Sequence, residues 1–280
     1  MNNKPLNSQE NIKTKEPPAS QIRYFFLDAC RGLTMISMVL YHASYDYFII
    51  FMKDYEWLLS RTTYLWQQSI CISFIIISGM VWPLGKKHAL RRGLVLIALG
   101  TAITFITLFF MPDEAIHYGI LTFMGIATLF TILYNRFMQL IFNKPDNSKI
   151  GKNESAPTEI LLCLISLLLF ALTRHFPNGY IGTRLHILIR LPDSIYRYPA
   201  LAPLGFPPSD FRSSDYFPVI PWIFMYIFGY HLGKLLFVQT AFNKLGSIKI
   251  PILSRLGTKS LLVYIIHQPI CYGIIWLICR

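Results

Sequence analysis

Charge is scarce in this sequence: Asp, Glu, Lys and Arg make up 14% of its 280 residues, against roughly 25% in an ordinary soluble domain. A soluble chain of this length needs a polar shell over its core, so the shortage excludes an ordinary soluble enzyme. Cysteine is sparse too. The five thiols, Cys30, Cys71, Cys163, Cys271 and Cys279, sit in or beside apolar runs, with no CxxC spacing and no even count. That pattern supports neither a disulfide framework nor a zinc site. Glycine-rich phosphate loops, HExxH helices and GxSxG elbows are missing as well, which leaves redox and metal chemistry without support. Acids are outnumbered 14 to 26 by Lys and Arg, but the bases are divided among loops, not gathered on one face, so nucleic acid is not an expected partner. Apolar residues are what the chain has in plenty, at 54% and a mean hydropathy of +0.44. A multi-span membrane protein is the class that fits.

Residues 1–22 are polar, contain Pro17 and Pro18 and lack the apolar core of a cleavable signal, and they read as a flexible cytoplasmic tail. Seven apolar stretches follow, near 33–51, 62–81, 93–111, 117–135, 159–175, 217–237 and 259–278. Each approaches the roughly 20 residues a helix needs to cross hydrocarbon. Charge sorting supports the count, because Lys and Arg concentrate on the cytoplasmic side. With the N-terminus inside, Lys4, Lys13, Lys15, Lys86, Lys87, Lys144, Lys149, Lys152, Lys234, Lys244, Lys249 and Lys259 all face inward, and Lys53 alone faces outward. The expected fold is therefore all-α: a polytopic bundle of about seven transmembrane helices over residues 23–280, in the cell membrane. Its long extracytoplasmic segment, 174–216, has five arginines and no lysine.

The first span carries a polar stripe. Asp28, Arg31, Met35, Met38, His42 and Asp46 are separated by three or four residues and share a helix face. Eleven residues separate Arg31 from His42, which is three turns and a rise of roughly 16 Å. Ionisable groups at that depth cost about 2.5 to 3.5 kcal/mol on insertion scales, so they face a protein interior or a wet cavity. The last span has a second stripe, Ser260, Tyr264, His267 or Gln268, and Cys271. Its His267 is placed to meet His42 at similar depth. Pro269 is expected to kink that helix, and Gln67, Gln68, Ser69, Ser73 and Ser78 of the second span add polar groups.

A histidine in such a pocket acts as a general base or a transient acyl carrier, with Asp46 able to orient it. That suits acyl transfer. The same groups would also serve as the proton relay of a transporter or permease for a sugar or lipid-linked intermediate, although no repeat relates the two halves.

Five segments carry a family resemblance: RYFFLDACRGLTMISMVLYH, SFIIISGM, HYGILTFMGIATLF, LGFPPSDFRSSDYFPVIPWIFMYIFGYHLG and LGTKSLLVYIIHQP. In this order they resemble the heparan-alpha-glucosaminide N-acetyltransferase catalytic domain family in its short prokaryotic form, over residues 23–278. Arg31 and His42 also match the spacing of an Arg–His pair on the first helix of the related integral-membrane polysaccharide acyltransferases, where the pair is needed for transfer. The resemblance implies an acetyl group moved from cytoplasmic acetyl-CoA to an amino sugar or glycan on the far side. Lysosomal members place a catalytic histidine in the first luminal loop, and residues 52–61 here contain none. On this reading His42, Asp46 and His267 are the expected catalytic groups. Arg31, Lys86, Lys87, Arg91 and Arg92 meet the CoA phosphates, for which arginine's two-pronged donor geometry is suited. Asp113, Glu114, His117, Asp215 and Tyr216 line the outer mouth for the acceptor.

Overall fold

The computed structural model describes residues 24–141, 156–183 and 186–280. The tail at 1–22 and the inner-loop lysines Lys144, Lys149 and Lys152 lie outside the described residues. Helix α1 (Phe25–Tyr45) runs into a π-helical turn, Asp46–Phe51. A short α2 (Tyr55–Leu59) follows, then α3 (Arg61–Val81), α4 (Ala89–Phe110), α5 (Ile120–Ile141) and α6 (Ala156–Thr173). Within residues 174–216, strands β1 (Tyr180–Gly182) and β2 (Ile187–Arg190) pair antiparallel, a hairpin that its composition did not announce. Helices α7 (Val219–Leu236), α8 (Thr240–Gly246), α9 (Pro251–Thr258) and α10 (Ser260–Cys279) complete the chain.

Six helices among the described residues are long and apolar enough to cross a membrane: Arg61–Val81, Pro83–Phe110, Ile120–Ile141, Ala156–Asn178, Val219–Leu236 and Ser260–Cys279. Helix α1 is not among them, yet its 21 residues pack on α3, α9 and α10 and bring the count near seven. It begins at Phe25, well before the apolar stretch at 33. Asp28 and Arg31 depress hydropathy over its first turns without interrupting its backbone hydrogen bonding.

The partners of α1 explain how a polar helix is tolerated. Leu33 and Leu40 point outward and are more than half exposed, while Met35, Met38 and Tyr41 are buried. The stripe therefore faces protein. Helices α9 and α10 pack on α1: Ser254 Oγ donates to the Phe25 carbonyl and Cys271 Sγ to that of Val39. Gly32 and Gly257 allow the backbones to meet, since a Cβ on either would strike the Leu253 or Asp28 carbonyl oxygen. The larger core, built around Ile75, Trp82, Phe123, Tyr226 and Tyr230, ties α3 and α5 to α7.

Candidate active site

Helices α1 and α10 bring the two histidines together, as the stripes predict. The rings of His42 and His267 are 4.8 Å apart between centroids and inclined by 65°. His267 Nδ1 lies 2.6 Å from the Tyr264 carbonyl oxygen. A carbonyl only accepts, so Nδ1 carries the proton and Nε2 presents its lone pair. That Nε2 is buried and has no hydrogen-bond partner. His42 is half-buried, and its ring makes no hydrogen bond with a described residue.

One turn further along α1, Asp46 is fully buried where the helix widens into the π-helical turn. Such turns occur frequently at functional sites because they displace side chains from α-helical register. Gln268 Nε2 donates to Asp46 Oδ1 at 2.8 Å. Asp46 Oδ2 and Gln268 Oε1 have no partner. Asp46 thus engages Gln268 of α10 and not the ring of His42. The outcome is three buried acceptors in one region, Asp46 Oδ2, Gln268 Oε1 and His267 Nε2, with no donor supplied. Burying an acceptor unpaired costs about 1 to 3 kcal/mol, which makes this region the candidate for meeting N–H or O–H groups of a ligand.

At the other end of the stripe Arg31 is half-buried and pairs with Asp28 at 3.7 Å. Arg92 of α4 and Tyr226 of α7 are within its electrostatic reach. Nearby, a cavity of about 310 Å³ is lined by His88, Arg91, Arg92, Val95, Leu96 and Leu261. Two of the predicted phosphate ligands, Arg91 and Arg92, line it. Lys86 and Lys87 are exposed on the preceding turn and do not. His88 was not anticipated, because its place on that wall depends on α10 crossing nearby. Between Arg31 and His42, Met35 and Met38 are buried with Ile70 and Tyr41, so packed apolar side chains, two of them flexible thioethers, separate the two ends.

The outer-mouth residues separate into two kinds. Asp113 is exposed, and Glu114 accepts from Tyr45 at 3.2 Å and from Ser214 at 2.6 Å. Glu114 also lies within electrostatic reach of Asp46. The remaining three hold the 211–218 loop in place. His117 exchanges backbone hydrogen bonds with Ser213 Oγ, and the Tyr216 hydroxyl donates to the Ala202 carbonyl. Asp215 accepts from the Ile120 N–H at 3.1 Å, at the start of α5, and from the Tyr264 hydroxyl. Burial pushes the Asp215 carboxyl up to about 6, and these two donors restrain the rise. Tyr118, at a left-handed φ of 56°, offers its carbonyl to the Phe217 N–H at 3.0 Å, closing the same junction. In the second span, Gln68 accepts from Arg174 at 2.8 Å, and Ser69 and Ser73 are exposed.

A second buried polar group lies outside the predicted site. Glu159 of α6 accepts from Lys234 through Oε1 and meets His231 Nδ1 through Oε2, each at 2.6 Å. His231 Nε2 is 2.7 Å from the Tyr134 hydroxyl. Glu159 stands alone in an apolar helix, which is the signal that would have found it.

No curated protein and no solved structure matches the chain. The sequence profile described as "Heparan-alpha-glucosaminide N-acetyltransferase, catalytic" matches residues 23–143 and 159–269, a range that holds Arg31, His42, Asp46 and His267. Most of the chain is covered, and the chain belongs to the heparan-alpha-glucosaminide N-acetyltransferase catalytic family of membrane acetyltransferases.

Proposed function

We propose that this protein, seated in the cell membrane, transfers the acetyl group of cytoplasmic acetyl-CoA to an amino sugar or glycan acceptor at the outer face. The observation that carries the reading is the His42–His267 pair with its unpartnered acceptors, joined along one helix face to the arginine end. CoA phosphates dock at Arg31, Arg91 and Arg92, with Lys86 and Lys87 attracting them and His88 beside them. The pantetheine arm passes Met35 and Met38, whose side chains yield to it, and delivers the thioester to His42.

His42 acts as general base on the acceptor nitrogen or oxygen, or takes the acetyl group itself and passes it on. In either route the thioester C–S bond breaks, a C–N or C–O bond to the acceptor forms, and the acceptor's proton passes by way of the imidazole to the leaving sulfur, so that CoA departs as the thiol. Because His267 Nδ1 is committed to the Tyr264 carbonyl, neutral His267 offers only a lone pair. That supports a role in orienting the acceptor's N–H or O–H in preference to holding the acyl oxygen. Asp46 and Gln268 take further donors of the acceptor. Glu114 and Asp113 draw it in from the outer side, while Asp215, Tyr216 and His117 shape the mouth.

Membranes containing the full chain are given labelled acetyl-CoA and a panel of amino sugars and glycans. Label recovered in an acceptor, and lost with His42→Ala, supports the reading. Full transfer by His42→Ala overturns the assignment of that residue, and exchange of unmodified sugar without any acetyl donor would move the function to transport.

A further inference from the structure

Residues 244–259 form an elbow on the lysine-bearing side of the bundle that the transfer chemistry does not use. It contains Lys244, Lys249, Arg255 and Lys259, all exposed, and no acid. Between these bases Ile248, Ile250 and Ile252 are 49%, 41% and 75% exposed. Alternation of exposed isoleucine with exposed base is unsuited to open water and to hydrocarbon alike. It suits the layer where acyl chains meet headgroups.

The packing sets the elbow at that level. The Tyr24 hydroxyl donates to Asn243 Oδ1 of α8 at 2.9 Å. Tyr24 packs with Met80 near the end of α3 and with Phe237 just past α7. The elbow therefore wraps the ends of three helices where they leave the bilayer. Lys249 Nζ sits 4.4 Å from the centre of the Phe25 ring, and Ser254 is tied to the Phe25 carbonyl. These contacts fix the backbone, and the bases remain on the outside of it. Ser260 opens α10 directly after Lys259, so the surface is continuous with a transmembrane span.

The geometry points to an inner-leaflet lipid site: the α8–α9 elbow binds the phosphate headgroups of anionic phospholipids through Lys244, Lys249 and Arg255, with Ile248, Ile250 and Ile252 set among the upper acyl carbons. Basic clusters beside a span attract anionic headgroups by an amount equivalent to about fivefold in affinity per base. Continuity with α10 and the absence of any acid choose lipid over a protein partner. The inference stands independently of the transfer reaction.

The full chain in neutral detergent is titrated with phosphatidylglycerol, with phosphatidylcholine and with inorganic phosphate. Retained lipid is counted by native mass spectrometry and the unfolding midpoint is recorded. Phosphatidylglycerol is expected to be retained preferentially and to raise the midpoint. Lys244→Gln with Lys249→Gln and Arg255→Gln should lose about fivefold of that preference for each base removed. The charge-preserving set Lys244→Arg, Lys249→Arg and Arg255→Lys should keep it, which separates charge from folding. Lys53→Gln, on the opposite side, should also keep it. Equal retention of the two lipids, or an undiminished preference in the glutamine set, overturns the proposal. A midpoint rise produced equally by inorganic phosphate assigns the site to free phosphate and overturns it as well.

Discussion

Among the described residues two buried groups each combine a histidine with a carboxylate, and they differ in how their hydrogen bonds close. In the group between α5, α6 and α7, both oxygens of Glu159 and both nitrogens of His231 have partners, in Lys234 and Tyr134. In the group between α1 and α10, Asp46, Gln268 and His267 each keep one buried acceptor with nothing to accept from. Residue type does not distinguish them. Satisfaction does: a closed network fixes helices, whereas an open one of acceptors is held ready for donors from outside. The closed group has one loose neighbour, Asn135 Nδ2, beside the Tyr230 hydroxyl that donates to Asn135 Oδ1, and that atom is a donor, not an acceptor.

The contrast breaks most readily at His42. His42→Ala should lower acetyl transfer by about a hundredfold to ten-thousandfold, the span of general-base catalysis, while the unfolding midpoint in detergent stays near that of the native chain. Glu159→Ala should do the reverse. Removing one partner of a buried ion pair strands the others, at about 3 to 5 kcal/mol, and the loss should appear in the unfolding midpoint while transfer per folded molecule persists. If Glu159→Ala abolishes transfer in protein that remains folded, the division into a structural and a chemical group fails.

Asp215 sharpens the comparison through pH. Its carboxyl is raised by burial to about 6, so the fold favours its protonated form. Its contribution to stability is present below the ordinary carboxylate range and is lost as pH rises through about 6. The native chain should therefore gain stability relative to Asp215→Asn on acidification from neutrality, by at most about 3 kcal/mol. Melting both proteins across that pH range measures it, and parallel curves would contradict the burial of that carboxyl. The smallest effect is expected for Asp46→Asn. An amide there still accepts from Gln268, and stability should change by no more than about 1 kcal/mol, although transfer should fall because a charged acceptor has been removed. A large gain in stability without loss of transfer would mark Asp46 as a leftover of packing.

Much of this was legible in the residues. The scarcity of charge and the lengths of the apolar runs gave the class and nearly the number of spans, because hydrocarbon imposes both. Helical periodicity placed Arg31, Met35, Met38, His42 and Asp46 on one face, and the rise per residue brought His267 to the depth of His42. The partner of Asp46 was not legible. Spacing alone offered His42 one turn away, but Gln268 of another helix takes the bond. Asp215 was equally opaque: an acid in an outer loop reads as solvated, and only the meeting of that loop with α5 and Tyr264 buries it.

Sequence by itself determined that the chain belongs in a membrane and which side chains share the first helix's inner surface. These follow from local periodicity and from the cost of placing charge in hydrocarbon. Tertiary structure decided which buried acceptors find donors and which are left open. That distinction depends on contacts between residues more than two hundred positions apart, as with Asp46 and Gln268, and no local pattern encodes the geometry of such a meeting.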